Sequence, residues 1–162
     1  MKIVFVVPHL STGGMPQYLN NKIEKLKDEC EIWVLEKTHE KTYNTIRLRI
    51  ENQIGSHRIV TWGSNPIKLF KETLDRLSPD IVHFEEPCEQ FLPDHILNHV
   101  YRKDRNYKIM ETLHDSSVEI EEKRFLPDKF IVVSPWQVYL LQGLGVPIEV
   151  IEHELPKKGN PD

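Results

Sequence analysis

Three short stretches of this 162-residue sequence gather side chains able to bind anions or move protons. Thr112-Leu113-His114-Asp115 sets an imidazole beside a carboxylate, a pairing suited to proton or phosphate chemistry. The same run suits a helix-capping loop in which Asp115 or Ser116 takes a backbone N–H, and spacing alone does not separate the two. Glu85-Glu86-Pro87-Cys88-Glu89 offers three carboxylates, enough to grip hydroxyls or to act as acid and base. Of these, Glu89 fits a solvated charge at a helix start, where the dipole favours acids. Ser11-Thr12-Gly13-Gly14-Met15-Pro16 joins two glycines, which let backbone approach a ligand closely, to a proline suited to a first helical position. A helix beginning there presents free N–H groups and a positive dipole end, a ready anion site.

Other patterns lead away from particular chemistries. His95 and His99 stand four apart, but Asp94-His95-Ile96-Leu97-Asn98-His99 lacks the glutamate of H-E-x-x-H and reads as a surface helix. No G-x-S-x-G is present, which speaks against a hydrolase elbow. The glycine loop is not G-x-G-x-x-G. Glu36 does close a strand where a dinucleotide fold would hold ribose, yet without the fingerprint NAD binding ranks low. Arg102, Lys103, Arg105 and Lys108 read as a solvated basic face, with only Tyr101 and Tyr107 as interleaved aromatics. Cys30 and Cys88 show neither CxxC nor metal spacing and read as ordinary thiols of a reducing compartment.

The elements that must position these residues are legible as alternation. Short, β-branched runs predict strands over 2–7, 31–35, 58–62, 80–84, 107–111, 129–133 and 148–151. Several are almost continuously apolar, as central strands of a parallel sheet covered on both faces should be. Helical stripes fall between most of them: Leu19, Ile23 and Leu26; Ile46, Ile50 and Ile54, closed by Gly55; Ile67, Phe70, Leu74 and Leu77. Residues 95–101 and 136–142 supply two more. Strand and helix repeated in this way predict an α/β, Rossmann-like, doubly wound sheet, mostly parallel, with helices on both faces. Such sheets bind ligands beyond the carboxyl ends of their strands, near the point where strand order reverses. The glycine loop, the acidic run and the histidine segment each follow a predicted strand.

Composition limits what such a domain does. Hydrophobic residues make up 39% and charged residues 28%, which excludes disordered and collagen-like chains. A net charge of −4 argues against nucleic acid and against an anionic membrane as the main partner. No apolar run reaches 18 residues and the opening one is too short for a signal peptide, so a cytoplasmic, non-spanning protein is expected. Lys22, Lys25 and Lys27, beside the Leu19–Ile23–Leu26 stripe, would be the membrane-docking surface if there is one, although the stripe suits core packing better. Residues 1–155 form one domain in this reading, and residues 156–162 read as a linker or tail at the point where a second domain could begin.

Taken in order, the segments resemble the N-terminal, acceptor-binding domain of GT-B-fold glycosyltransferases of family 4, the retaining sugar-nucleotide enzymes. The opening Lys2-Ile3-Val4-Phe5-Val6-Val7-Pro8 with Gly13-Gly14 is similar to that family's first strand and glycine loop. Asp80-Ile81-Val82-His83-Phe84 is similar to its D-I-V-H strand, and Thr112-Leu113-His114-Asp115 to its T-x-H-D segment. Phe130-Ile131-Val132-Val133-Ser134-Pro135, continuing to Gly145-Val146-Pro147 and Val150-Ile151, is similar to its closing segment. The resemblance implies a sugar transferred from a nucleotide-diphospho-sugar to a hydroxyl acceptor, without cofactor or required metal. It implies catalytic roles for His114 and Asp115, and substrate contacts from Gly13, Gly14, Met15, Gln17, Glu85, Glu86 and Ser134.

The departures shape the expectation. The family holds its nucleotide-sugar mainly through a C-terminal domain bearing E-x7-E. Glu111 and Glu119 have that spacing but flank the histidine segment, so the donor-binding domain is expected to be a separate domain or subunit. Glu152-His153-Glu154 stands where the family has P-N-G-V-D, and Glu85-Glu86 where a second histidine or small polar residue is common. The expected product is half an enzyme, inactive alone. A stand-alone glycan- or nucleotide-binding module is the alternative.

Overall fold

Among the described residues seven strands form where the β-branched runs fall: β1 (Lys2–His9), β2 (Glu31–Thr38), β3 (Ile59–Thr61), β4 (Ile81–Phe84), β5 (Lys108–Leu113), β6 (Lys129–Val132) and β7 (Ile148–Val150). Among the described residues five helices join them: α1 (Gly14–Leu26), α2 (Thr45–Ile54), α3 (Ile67–Leu77), α4 (Asp94–Val100) and α5 (Val138–Leu141). The structure, a computed structural model, describes residues 1–63, 67–115 and 119–154. Ser116 and the 156–162 tail, both named above, lie outside the described residues.

All seven strands pair in parallel, in the order β3-β2-β1-β4-β5-β6-β7. The fold is therefore the α/β Rossmann-like sheet expected. The chain leaves β1 toward β2 and β3, then returns to place β4 on the other side of β1. Strand order reverses between β1 and β4, and the crevice beyond their carboxyl ends is where such sheets bind ligands.

Right-handed crossovers sort the helices by face. Ile3, Phe5 and Val7 of β1 pack under α1 and α2 with Leu19, Ile23 and Ile50. Val4 and Val6 of the same strand pack on the opposite face with Phe70, Leu74 and Leu97 of α3 and α4. β1 is thus apolar at every position from Ile3 to Val7 because both of its faces are interior. Each such fully buried side chain contributes about 1.5–3 kcal/mol of burial free energy. A smaller cluster under α5 joins Leu113, Phe130, Val132 and Leu141.

One segment differs from expectation. The predicted helix over 136–142 breaks into a 3-10 turn (Pro135–Gln137), α5 and a second 3-10 turn (Gln142–Leu144). Pro135 at its start, and Gly143 and Gly145 at its end, leave too little helix-forming sequence for a longer run, and Gly145 turns the chain at φ +71°. Between β5 and β6, where no helical stripe was expected, the described residues form only the 3-10 turn Ile120–Glu122.

Candidate functional site

The period-two alternation of strands places the site. On β4, His83 and then Glu85 just beyond it point to the α1 face; on β5, Thr112 and then His114 follow the same rule. Because β4 and β5 are neighbours, the four side chains form a square. His83 Nε2 and Thr112 Oγ1 share a hydrogen bond of 2.7 Å, and His114 Nε2 lies 2.9 Å from Glu85 Oε2. α1 closes the square from above: Lys22 Nζ donates to Glu85 Oε1 at 2.5 Å while lying 4.7 Å from the centroid of the Tyr18 ring.

Glu85 is fully buried. Burial alone would raise its carboxyl, but Lys22 and the hydrogen bond from His114 overcome that and hold it well below the usual carboxylate range. His83 is pushed down to about 3, by burial first and by Lys22 second, and stays neutral. Glu86, half-buried at the same strand end, is pushed up to about 7 by burial and then by the charges of Asp115, Glu85 and Glu111. Two successive glutamates thus hold their protons very differently.

Around this core the chain builds a rim. Tyr18 meets His114 edge-on with ring centroids 4.9 Å apart, and the His153 ring packs tilted against Tyr18 with centroids 4.6 Å apart. The segment carrying His153 is tied to α1 by a bond from Tyr18 Oη to the Ile151 carbonyl, 2.8 Å, and by a Lys25–Glu154 ion pair. His114 Nδ1 has no partner although the side chain is only 7% exposed.

In front stands the glycine loop. Gly13, at φ +114° and ψ 179°, occupies a region open only to glycine, while Gly14 begins α1. No side chain caps the helix and no acid lies in its first turn, so its first N–H groups face outward unneutralised. Pro16 falls at the third helical position instead of the first, still within the turn whose N–H groups have no intrahelical partner.

Other predicted residues serve differently. Met15 is buried in the core under α1, so only its backbone can reach a ligand. Gln17, half-buried, donates to Asn21 at 2.9 Å. Asp115 is exposed beside the histidine. Ser134, half-buried, forms a capping box with Gln137, whose Oε1 accepts its N–H at 2.9 Å. The structure thus brings together His114, Glu85, Glu86 and Asp115. Lys22, Tyr18, His83, Thr112 and His153 join them, although none was named as a site residue from sequence.

The opposite sheet face holds a second polar cluster. Cys88, Glu89 and Glu111 are the only three potential metal ligands that converge among the described residues, and Lys123 fills their centre. Its Nζ lies 2.7 Å from Glu89, 2.8 Å from Glu111 and 3.7 Å from the Cys88 sulfur. Glu89 is therefore a partnered residue and not the solvated charge expected. The basic run also finds partners: Arg105 bridges to Asp128 at 3.2 Å and Arg102 donates to the His99 carbonyl at 2.9 Å. His99 bonds Asp75 at 2.9 Å while His95 is exposed. Glu36 is buried and accepts from Arg47 and Thr61.

No known family model matches the chain, and no curated protein matches it in sequence. Among solved structures it is similar to the lipopolysaccharide outer core galactosyltransferase WaaB in its apo form, with a TM-score of 0.68 and 18% identity. The match covers 99% of this chain and 50% of that one. The chain has a GT-B glycosyltransferase-like fold. It spans half the length of WaaB. Among the described residues, no helix is long and apolar enough to cross a membrane.

Proposed function

We propose that this chain is the acceptor-side half of a retaining glycosyltransferase of the family 4 type, moving a sugar from a nucleotide-diphospho-sugar to a hydroxyl. The observation that carries the reading is the meeting, at the point of strand reversal, of an uncapped α1 N-terminus with the His114–Glu85 pair on a glycosyltransferase-like fold. The α1 N–H groups offer the donor diphosphate a cation-free cradle, so a metal is not required. His114, with Asp115 beside it, lies where the reacting sugar would sit, and Glu86 faces the acceptor. The departing phosphate takes the acceptor proton, which spares the chain a dedicated base. The other nucleotide contacts come from a donor-binding half supplied as a further domain or subunit.

The same rim would also serve a glycan-binding module that performs no transfer. Product formation separates the two. The purified chain, given nucleotide-sugars and a mixed set of hydroxyl acceptors, is expected to release no product alone and to transfer sugar once joined by a donor-binding half. Transfer by these 162 residues alone would overturn the half-enzyme reading. Glycan binding that no donor-binding half converts to transfer would favour the module.

A further inference from the structure

We infer that the apolar cavity beneath α1 is a binding site for one alkyl chain, carried by an amphiphile whose head bears no negative charge. The inference goes beyond the proposed function and stands without it, because the cavity is a different space from the strand-end rim.

The cavity follows from how the helices are shared between the two sheet faces. α3 and α4 pack on the face of Val4 and Val6, and α5 covers Leu113 and Phe130 on that same face. Phe5, His83, Met110 and Ile131 point the other way, toward α1. On their side α2 clusters with Ile32, Val34 and Ile59 at the β2–β3 end of the sheet. What remains over β4, β5 and β6 is a cavity of about 290 Å³ between α1 and the segment after β7. Ile81, Met110 and Ile131 form its floor, Tyr18, Lys22 and Leu26 its wall, and Ile151 its far edge.

The lining decides what fits. Tyr18 Oη donates to the Ile151 carbonyl, Lys22 donates to Glu85, and His83 Nε2 is held by Thr112. Among the described residues, the buried polar atoms without a partner all lie outside this lining. A sugar or nucleotide placed inside would leave water without gaining hydrogen bonds, which is costly. A hydrocarbon gains by leaving water. The volume is about twice the roughly 150 Å³ that holds a benzene ring, which suits a short alkyl chain.

The mouth decides the head. Lys25 and Glu154 form an exposed ion pair there, and Glu152 adds a second carboxylate. Lys22, the other lysine of the lining, is already balanced by Glu85. The surplus carboxylate opposes an anionic head, so a fatty acid or an anionic lipid is a poor fit.

Methionine-methyl NMR reads the site directly, since Met110 lines the cavity while Met15, in the first turn of α1, lies outside it. Octyl glucoside below micelle formation is expected to shift Met110 and not Met15, and glucose alone to shift neither. Affinity should rise about fifteenfold from hexyl to octyl glucoside, at about fourfold for each buried methylene. Octyl sulfate, the same chain on an anionic head, should bind at least about fivefold more weakly, the effect of one like charge about 4 Å away in water. An unmoved Met110, a shift of Met110 by glucose, or no dependence on chain length overturns the alkyl site. Equal binding of octyl sulfate overturns the assignment of the head. Ile81→Trp puts an indole into the cavity and should abolish the Met110 shift; a folded variant that still binds overturns the location. The wild-type titrations stand even if that variant does not fold. Exclusion of octyl glucoside once a donor-binding half is joined would make that half the occupant and overturn the inference. None of these readouts needs sugar transfer, so their failure leaves the proposed function standing, and a lack of transfer leaves the alkyl site standing.

Discussion

Glu85, just beyond β4, and Glu111, within the neighbouring β5, sit on opposite faces of one sheet, both fully buried and both paired with a lysine brought from another element. Their surroundings separate them. Glu85 has both oxygens engaged, by Lys22 and His114, and is held ionised. Glu111 uses Oε2 for Lys123 and the Cys88 N–H, while Oε1 has no partner. Burial, only partly offset by Lys123, pushes it up to about 7. Lys123 is moreover shared with Glu89, whose other oxygen accepts the Arg124 and Phe125 N–H groups at 3.1 Å. One cluster orients a histidine at the strand-end rim. The other ties down the β5–β6 connection. A buried carboxylate–lysine pair is therefore no marker of function in itself; the two differ in whether the second carboxylate oxygen is engaged, as it is in Glu85 by His114 and is not in Glu111.

Removing each lysine breaks the comparison most sharply. Lys22→Met leaves an ionised carboxylate buried without its cation and is expected to cost about 3–5 kcal/mol in urea unfolding at pH 7. Lys123→Met should cost less, about 1–3 kcal/mol, because Glu111 can take up a proton and Glu89 keeps its backbone donors. Equal losses would mean that the two clusters are the same device.

The glycine loop gives the next effect. Gly13→Ala forces a Cβ into a glycine-only conformation and is expected to destabilise by about 1–3 kcal/mol. A Cβ at Gly14 would meet only His153 Cε1, at an ordinary 3.8 Å, so Gly14→Ala should stay within about 0.5 kcal/mol. Thermal unfolding of the pair checks this, and comparable losses would contradict the assigned backbone geometry.

The smallest effect is a slope. Glu86 and Glu111 have raised values, so between pH 4.5 and 7 the folded chain holds protons that the unfolded chain has lost. Stability attributable to them is present below pH 4.5 and falls as pH rises toward 7. Glu85 has the opposite sign: its contribution is complete above pH 4.5 and is lost only as pH falls below that. Glu86→Gln should therefore flatten the decline between pH 4.5 and 7 without changing the acid limb. An unchanged slope would remove Glu86 from the account.

The sheet was legible because β-branched runs report burial locally, and all seven strands fell where those runs do. Part of the site was legible for the same reason. His83 with Glu85 and Thr112 with His114 are spaced by two on adjacent strands, a signal that groups them on one face once strand order is known. Lys22 was not legible: helical periodicity puts it beside an apolar stripe, where a lysine ordinarily reads as solvated, and only the packing of α1 over β4 turns it inward. Lys123 escaped likewise, since its partners lie 12 to 35 residues away in sequence. His153 was noticed only as a departure from a family pattern; its contact with Tyr18 depends on the path of the chain after β7.

The most direct test of the central claim is amide and histidine NMR mapping during titration with a nucleotide-diphospho-sugar, with and without Mg²⁺. The account predicts shifts centred on Gly13, Gly14 and His114 that do not require the metal, with weak affinity in the absence of a donor-binding half. Shifts gathered instead around Glu36 and Arg47 at the end of β2, or none at the His114 rim, would contradict it.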